Sequence, residues 1–493
     1  MLSRILLSSF KPFATLQDAP LAPITLVYGP NSCGKSSLIQ SLLLLKQTLE
    51  GNQTRPLGLV PRGEHVDLGS FRQLLHTHDV SRELELGLTL TEPAAGLESG
   101  GTRKVQIRLT FALEAPSGSG TPAPPVLRRI RYRADEGPEA RRLDWTCHRM
   151  GVVQGQVPSW ATYRLEGPDL PEFLMERAMH SGRGPAGSGA LGLQGLSARA
   201  PDRGAVEAAM ARQVLVARGL LPGEWLDFVP DETLWRQLDR DALLEALRGW
   251  NSGLARHLQA LSYLGPLRHA PERFYQVHGA DETSLGARGE RAASVIHHRP
   301  ELTSRLNAWF RRFEIPYDLQ VRPLTDDLVG DMVLLALTDH RSGASVGPAD
   351  VGFGIGQLLP ILVEGLASGG RTICVEQPEI HLHPRMQAHL GDFMIETAGL
   401  RPVRDRPDRT GPEQPLNAWI VETHSEALIL RLQRRIREGA IAPDDVSVLY
   451  VDPVEGHGSV IRQLRLDSQG EFLDRWPHGF FEETYQEVFG GGR

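Results

Sequence analysis

A chain of 493 residues has room for several domain-sized units, since typical domains span ~100 to 200 residues each. With 41% hydrophobic residues, 23% charged residues and a formal net charge of -7, the composition disfavours disordered, collagen-like and globally basic nucleic-acid-binding classes. No apolar run approaches the ~18 residues that a membrane helix needs, and the run Ile5–Leu7 is too short for a signal-peptide core. We therefore expect a soluble, cytoplasmic protein with no membrane partner.

The first predicted elements are a strand, a glycine loop and a helix. The continuous apolar run from Ile24 to Tyr28 predicts a buried strand. From Lys35 to about Leu49, apolar residues recur at spacings of three and four, which predicts a helix with one packed face. The segment between them, from Gly29 to Ser36, has the spacing G-x-x-x-x-G-K-[ST] of a P-loop.

This loop predicts an ATP site, because its glycines let successive backbone N–H groups curl around a phosphate at the start of a helix. Lys35 is expected to be a solvated charge that reaches the β and γ phosphates, and Ser36 to offer a hydroxyl ligand to magnesium. The nucleotide contacts predicted here are Gly29, Pro30, Asn31, Ser32, Cys33, Gly34, Lys35, Ser36 and Ser37.

The middle of the chain predicts a sheet followed by helices. Alternating apolar residues make residues 81–165 mainly β, as in an antiparallel sheet with one face in water. Residues 113–126 and 181–204 are rich in Gly, Pro, Ser or Ala and predict long, flexible loops. Residues 205–219 and 231–263 predict helices, without the sustained heptads of a coiled coil.

Two buried strands near the end of the chain lead into polar residues. Thr372–Val375 is followed by Glu376, where a magnesium-facing acid is required, although Glu376 and Glu379 could instead only cap the next helix. Trp419–Val421 leads to His424, and a histidine at such a strand end can hydrogen-bond a γ-phosphate or its attacking water.

Two further patterns have simple interpretations. His381 and His383 have no third ligand nearby in sequence and are weak evidence for zinc. Arg129, Arg131 and Arg133 are predicted to lie on one strand face, where they either contact DNA phosphates or form a solvated surface. DNA is thus a candidate partner, and the solvated surface is the favoured interpretation because the whole chain is acidic.

Together these segments resemble the ABC-type ATPase heads of the SMC, DNA-repair and overcoming-lysogenization-defect (OLD) families. Within that superfamily the chain is similar to a bacterial group of predicted ATPases with a short C-terminal domain of unknown function. The resemblance leaves residues 110–260 unexplained. Its marks are the P-loop region and the segments Asp67–Phe71, Gly265–Arg268, Asp350–Gly354, Glu376–Pro384, Glu422–Ser425 and Trp476–Phe481.

The resemblance implies an α/β fold: an ABC-type P-loop ATPase head with a mixed sheet, an antiparallel β subdomain and a helical insertion. Four segments are expected. They are an ATPase lobe with Walker A (1–110), a β and helical insertion with flexible Gly/Pro-rich stretches (111–265), an ATPase lobe with signature, Walker B and switch histidine (266–440), and C-terminal strands with the short C-terminal domain (441–493).

The resemblance also implies ATP and magnesium as cofactors, bound between two copies that pack head to tail. Glu376 is then the Walker B acid and shares the metal with Ser36, and His424 is the switch histidine. The signature region spans Gly352 to Gln357, with Gly352, Gly354 and Gln357 as its expected nucleotide contacts.

Two positions depart from the pattern of these families. Gln377 stands where a glutamate general base usually follows the Walker B acid, so that hydrolysis is expected to be slow. Glu379 lies two residues further on and is the alternative residue for handling the attacking water. Gly356 occupies the place where a signature serine is expected.

Several relatives of this kind serve in bacterial phage defence together with a nuclease. The residues after His424 are too few for the OLD nuclease domain, and Asp452 and Glu455 are interpreted as part of a turn between two strands. The predicted function is an ATP-gated dimeric switch or scaffold for a separately encoded nuclease or toxin. The alternative is a repair or maintenance ATPase that engages DNA directly.

Overall fold

The computed structural model of the chain describes residues 1–52, 58–93, 102–114, 124–135, 142–153, 160–180, 203–225, 240–277, 279, 284–328, 330–405 and 417–477. These residues form two compact units. Unit 1 comprises Met1, Ala19–Ile39 and Ala260–Arg493, and unit 2 comprises Leu2–Asp18 and Gln40–Gln259. Within the described residues, every helix is too short or too polar to cross a membrane.

The strands are β1 (Leu2–Ser8), β2 (Gln17–Pro20), β3 (Ile24–Tyr28), β4 (Leu84–Pro93), β5 (Thr102–Leu113), β6 (Pro125–Asp135), β7 (Arg142–Val153), β8 (Trp160–Glu166), β9 (Leu215–Ala217), β10 (Glu224–Trp225), β11 (Leu261–Leu264), β12 (Tyr275–Gln276), β13 (Tyr317–Asp326), β14 (Gly330–Asp339), β15 (Ser345–Val346), β16 (Arg371–Glu376), β17 (Asn417–Glu422), β18 (Val446–Val454) and β19 (Gly458–Leu464).

The α-helices are α1 (Lys35–Gly51), α2 (Phe71–Leu74), α3 (Leu170–His180), α4 (Arg203–Met210), α5 (Arg240–Gln259), α6 (Ala292–His298), α7 (Glu301–Arg312), α8 (Phe353–Ala367), α9 (Pro384–Thr397) and α10 (Glu426–Arg437). Short 3-10 turns span His76–His78, Pro348–Asp350, Val403–Asp405 and Pro443–Asp445.

Unit 1 is organised by a six-stranded sheet with the order β11-β16-β17-β3-β18-β19. The neighbours from β11 to β18 are parallel, and β19 joins β18 antiparallel. The central strands β3 and β17 are buried along their whole length, as expected for parallel strands covered on both faces. The register places Glu376 beside Glu422, and Glu422 beside Val27 of β3. Three strands therefore end together at one edge of the sheet.

A second sheet in unit 1 has the order β12-β14-β13, with β15 also paired to β14. Large aromatic side chains fill the core of the unit. The ring of Phe393 lies edge-on to Trp309 at 5.0 Å and to Trp419 at 5.9 Å between centroids. Because Trp419 belongs to β17, this packing fixes the strand that ends at the candidate site.

Unit 2 is built around a nine-stranded sheet with the order β10-β9-β8-β7-β6-β5-β4-β1-β2. Its strands from β4 to β9 pair antiparallel in sequence order. The ring of Trp145 packs against Phe173 and Trp250 with 4.9 Å between centroids in each case. The Tyr132 hydroxyl bonds Asn251 of α5 at 2.8 Å. These contacts anchor α3 and α5 on the sheet.

The predicted fold class is confirmed: the chain has a mixed sheet around a P-loop, a separate antiparallel sheet and inserted helices. The compact units divide the chain differently from the predicted segments. The boundary at 110/111 falls inside β5, whose pairing with β4 and β6 is continuous. The strand before the P-loop belongs with residues after 260, because its sheet neighbours are β17 and β18.

Two predicted helices are wrong in extent. Residues 205–219 are not one helix, since α4 ends at Met210 and is followed by strand β9, which pairs with β8. Residues 231–263 hold α5 only to Gln259, after which β11 pairs with β16. Tertiary strand pairing has overridden local helix propensity in both places. The glycine-rich stretches 115–123 and 181–202 lie outside the described residues.

Candidate nucleotide site

The P-loop is a tight curl between β3 and α1 that depends on its glycines. Gly29, Ser32 and Gly34 have φ values of 147°, 62° and 103°, a region that favours glycine. A Cβ atom added at Gly29 would lie 2.5 Å from the carbonyl oxygen of Val451 in β18. Only glycine therefore lets the loop start this close to the neighbouring strand.

The tip of this loop is accessible, whereas its base is packed. Asn31 and Ser32 are exposed, and Cys33 and Ser37 are buried. The Ser459 hydroxyl donates to the Cys33 carbonyl at 2.7 Å, which ties the loop to β19. The exposed tip is therefore accessible from solvent.

Lys35 differs from the solvated charge that was expected. Its side chain is only 5% exposed. The ammonium donates to the carbonyl oxygens of Gly29 at 3.1 Å and Pro30 at 2.8 Å, inside the curl of the loop. The expectation of a solvated lysine is wrong because the loop carbonyls supply the acceptors that water would otherwise provide. The cation is thus already positioned within the anion-binding loop.

The end of β16 is held by a buried arginine and a tyrosine. The Tyr263 hydroxyl donates to Oε1 of Glu376 at 3.0 Å. The guanidinium of Arg268 donates to the carbonyl oxygens of Glu376 at 2.8 Å and Gln377 at 3.1 Å. Burial lowers the pKa of Arg268 to about 10. Gln377 has a φ of 46°, so this clamp fixes a backbone turn that a non-glycine residue rarely adopts.

Glu379 is bound to the chain that follows β17. Its Oε2 accepts from the Thr423 hydroxyl at 2.8 Å, and its Oε1 accepts from the backbone N–H of His424 at 2.7 Å. Burial raises the pKa of this carboxyl group. The interpretation of Glu376 and Glu379 as helix caps is wrong, because the N-cap of α9 is His383, whose ring accepts from the Arg385 N–H.

Glu422 was missed as a site residue by sequence reasoning. It ends β17, is 5% exposed, and accepts a hydrogen bond from the Ser36 hydroxyl. Its Oε2 atom is buried and makes no hydrogen bond within the described part of the chain. Burial raises the pKa of this carboxyl group. The available signal was its position at a strand end, two residues before His424.

His424 is held at the same edge of the sheet. The N–H of the preceding Thr423 donates to Val27 of β3 at 3.1 Å, and the Ser425 hydroxyl caps α10 by accepting from Leu428. Burial and the nearby charge of Lys35 lower the pKa of His424, so its imidazole is neutral at physiological pH. The edge therefore brings together Lys35, Ser36, Glu376, Gln377, Glu379, Glu422 and His424.

The predicted signature region lies at the start of α8. Gly352 is its N-cap, is exposed, and has open space around its Cα. A Cβ at Gly354 would lie 2.8 Å from the His381 carbonyl oxygen. Gln357 is only 2% exposed, and its side-chain oxygen accepts from the Arg268 N–H at 3.4 Å. Gln357 thus supports the Arg268 segment on its own chain, and Gly352 is the accessible position.

The missing signature serine has a packing explanation. A Cβ at Gly356 would lie 2.3 Å from Cγ of Pro271, so even alanine would force the neighbouring loop to move. The predicted turn between two strands is present at residues 455–457 and includes Glu455, whereas Asp452 lies within β18 and accepts from Arg462 of β19. No group of three metal-binding side chains occurs among the described residues, including those around His381.

Residues 232–431 match the family described as "AAA domain, putative AbiEii toxin, Type IV TA system". This part of the chain is therefore an AAA-type domain. The matched span includes Glu376 and His424, and the P-loop precedes it. Residues 441–489 match "Protein of unknown function (DUF3696)", so the expected short C-terminal domain of unknown function is confirmed. No curated protein matches this chain.

Solved structures of SMC heads are similar to this chain at a low level. "Crystal structure of the SmcHead bound to the C-winged helix domain of ScpA" has 11% identity and a TM-score of 0.39, over 94% of this chain and 98% of that chain. An SMC head from Thermotoga maritima has 10% identity and a TM-score of 0.36, over 94% and 99%. One from Pyrococcus furiosus, bound to the C-terminal domain of ScpA, has 12% and 0.37, over 94% and 96%. Scores this low support nothing about activity or partners.

Proposed function

We propose that this chain binds ATP with magnesium at the P-loop edge, hydrolyses it slowly, and uses the bound state as a dimeric switch. The observation that carries the proposal is the meeting of an anion-binding loop, its buried Lys35 and three strand-end polar groups at one edge of a parallel sheet. Carboxylates at the strand ends and the Ser36 hydroxyl are oxygen donors of the kind that magnesium prefers.

Slow hydrolysis is expected from the groups around the attacking water. The amide of Gln377 orients a water molecule but cannot accept its proton, and general-base assistance is typically worth ~10² to 10⁴ in rate. Both oxygens of Glu379 already accept hydrogen bonds from Thr423 and His424. An ATP-bound state that persists for long is what a switch or scaffold requires.

The proposed dimer packs head to tail, with the exposed tip of one P-loop near the exposed start of α8 on the other chain. Cysteines introduced separately as Ser32→Cys and Gly352→Cys test this arrangement. Gly352 is a better position than Gly354, because a side chain at Gly354 would meet the His381 carbonyl. The native cysteines Cys33, Cys147 and Cys374 are buried, so background crosslinking is low.

A covalent dimer should form when the two single variants are mixed with ATP and magnesium, and either variant alone should stay monomeric on a denaturing gel. Lys35→Ala in both variants should abolish the crosslink by removing ATP binding. A crosslink that forms equally with and without ATP, or that forms only between copies of the same variant, would contradict the head-to-tail switch.

The proposed output is control of a separately encoded nuclease or toxin in bacterial anti-phage defence. The support is the description of the matched family, which refers to a toxin of a Type IV toxin–antitoxin system. The test compares phage plating on cells that carry the native locus with either the unaltered chain or Lys35→Ala, and Lys46→Ala is the control. Equal phage plating on all three strains would refute the defence role, but it would not contradict ATP binding.

Direct action on DNA is the weaker function. The candidate arginines on β6 face acids: Arg131 and Arg133 both pair with Asp144, and Arg129 pairs with Glu83. Such pairing favours a solvated strand face over a phosphate-binding surface. Filter binding of duplex DNA at two salt concentrations should show no tight, salt-sensitive complex. Affinity that falls steeply with salt would restore the DNA-engaging function.

A further inference from the structure

Two carboxylates end neighbouring strands at the candidate site, and they have different surroundings. The side chain of Glu376 accepts from the Tyr263 hydroxyl at 3.0 Å, and Arg268 binds its backbone carbonyl. The side chain of Glu422 accepts from the Ser36 hydroxyl. Its second oxygen, Oε2, is buried without a hydrogen bond from any described residue.

Strand order also favours Glu422 as the group nearer to the nucleotide loop. β17 lies directly beside β3, the strand that leads into the P-loop, whereas β16 is one strand further away. Neighbouring strands are about 4.8 Å apart, so the Glu376 backbone lies one such step further from β3. Ser36 is the second residue of α1 and reaches Glu422 across this shorter interval.

A buried carboxylate oxygen with no donor is costly unless a cation or a donor arrives. The ammonium of Lys35 donates to the carbonyl oxygens of Gly29 and Pro30, so its positive charge acts on Glu422 without a hydrogen bond to Oε2. Magnesium is held in nucleotide sites by one or two carboxylates together with phosphates and water. An open Glu422 oxygen beside the Ser36 hydroxyl is the arrangement that such an ion completes.

We propose that Glu422, together with Ser36, holds the magnesium ion of the bound nucleotide, and that Glu376 is a positioning residue fixed by Tyr263 and Arg268. This proposal rests on the proposed function, that the chain binds ATP with magnesium. The proposal assigns magnesium binding to Glu422, at the strand end before His424, and not to Glu376, at the expected Walker B position.

The test uses fluorescence anisotropy to measure the affinity of the full chain for N-methylanthraniloyl-ATP, first in EDTA and then across a magnesium titration. The factor by which magnesium raises this affinity is the magnesium gain. Glu422→Gln should reduce this gain by at least about tenfold, because even residues that only orient a metal ligand typically contribute about 10- to 100-fold to metal affinity. Metal-free affinity should change by no more than about threefold, because the P-loop contacts remain. Glu376→Gln should reduce the gain less than Glu422→Gln. Glu426→Gln, an exposed acid in the next helix, is the matched control and should change nothing.

A second comparison tests the pairing with Ser36. Ser36→Ala combined with Glu422→Gln should lose no more of the gain than the worse single variant, because groups that share one ion are not additive. If Glu376→Gln removes the magnesium gain and Glu422→Gln keeps it, the assignment is overturned. If the unaltered chain binds no nucleotide in either condition, the proposed function fails first, and the assignment fails with it.

Circular dichroism of each variant shows whether the fold survives. If Glu422→Gln unfolds, Glu422→Asp takes its place, since it keeps the charge and withdraws the carboxylate from Ser36 by one methylene. It should lose about tenfold of the magnesium gain, the lower end of the same range. An undiminished gain in Glu422→Asp would overturn the proposal.

Discussion

Glu379→Gln decides whether Glu379 positions His424 or serves as the general base of the proposed hydrolysis. The carboxylate accepts from the Thr423 hydroxyl at 2.8 Å and from the His424 N–H at 2.7 Å. Hydrogen bonds to charged groups contribute about 1.5 to 3 kcal/mol each, and an amide side chain has only one acceptor oxygen to replace two. Burial raises the pKa of Glu379, so keeping it ionised costs stability at neutral pH, and glutamine recovers part of the loss. The expected net local loss is about 1 to 2 kcal/mol.

Hydrogen exchange of the peptide around His424 measures this loss directly. A loss of about 1 to 2 kcal/mol speeds exchange of the His424 amide about 5- to 30-fold. Thr423→Val should couple with Glu379→Gln, whereas Glu426→Gln, an exposed acid in α10, should leave the amide unchanged. Single-turnover hydrolysis should fall only modestly. If Glu379→Gln abolishes hydrolysis while exchange stays at the unaltered rate, Glu379 is the base and the positioning role is wrong.

Three further changes have defined outcomes. Gln377→Glu should raise the single-turnover hydrolysis rate, because it supplies a proton acceptor beside the attacking water; an unchanged rate would contradict the slow-switch account. Gly29→Ala should lower the free energy of unfolding, measured in urea, by about 2 to 4 kcal/mol, because of backbone strain and steric overlap with the Val451 carbonyl oxygen. Gly352→Ala is the control, because open space surrounds Gly352, and it should lower this free energy by less than about 0.5 kcal/mol. Lys35→Met should raise the pKa of the His424 imidazole toward its usual value, measured by NMR titration, because a nearby positive charge is removed; a fall would contradict the assigned cause.

The parts of the site that sequence predicts well are local in the chain. The spacing of the P-loop and its flanking strand and helix fix where glycines adopt positive φ, and the structure places Gly29 and Gly34 there. The apolar runs before Glu376 and His424 predict buried strands that end in polar groups, as β16 and β17 do. Each of these features depends on residues within one turn or one strand of each other.

The parts that sequence could not predict depend on strand order and packing. Nothing in the sequence places β17 beside β3, so the closeness of Glu422 to Ser36 is not visible there. Whether Lys35 is solvated depends on the carbonyl directions in the curled loop. Gly356 is a departure from the expected signature, and its reason is Pro271, a residue distant in the chain.

The sheet order also has a consequence for synthesis on the ribosome. β3 is made early, yet both of its sheet neighbours, β17 and β18, come from the last part of the chain. Unit 2, encoded mostly between Gln40 and Gln259, can complete its own sheet pairings in the meantime. The apolar strand β3 therefore has no sheet partner during most of translation. Long-range strand pairing of this kind is slow, and apolar strands that stay unpaired are prone to aggregation. A nascent chain released before residue 417 would have the P-loop sequence but no sheet to support it, and it would be a substrate for chaperones.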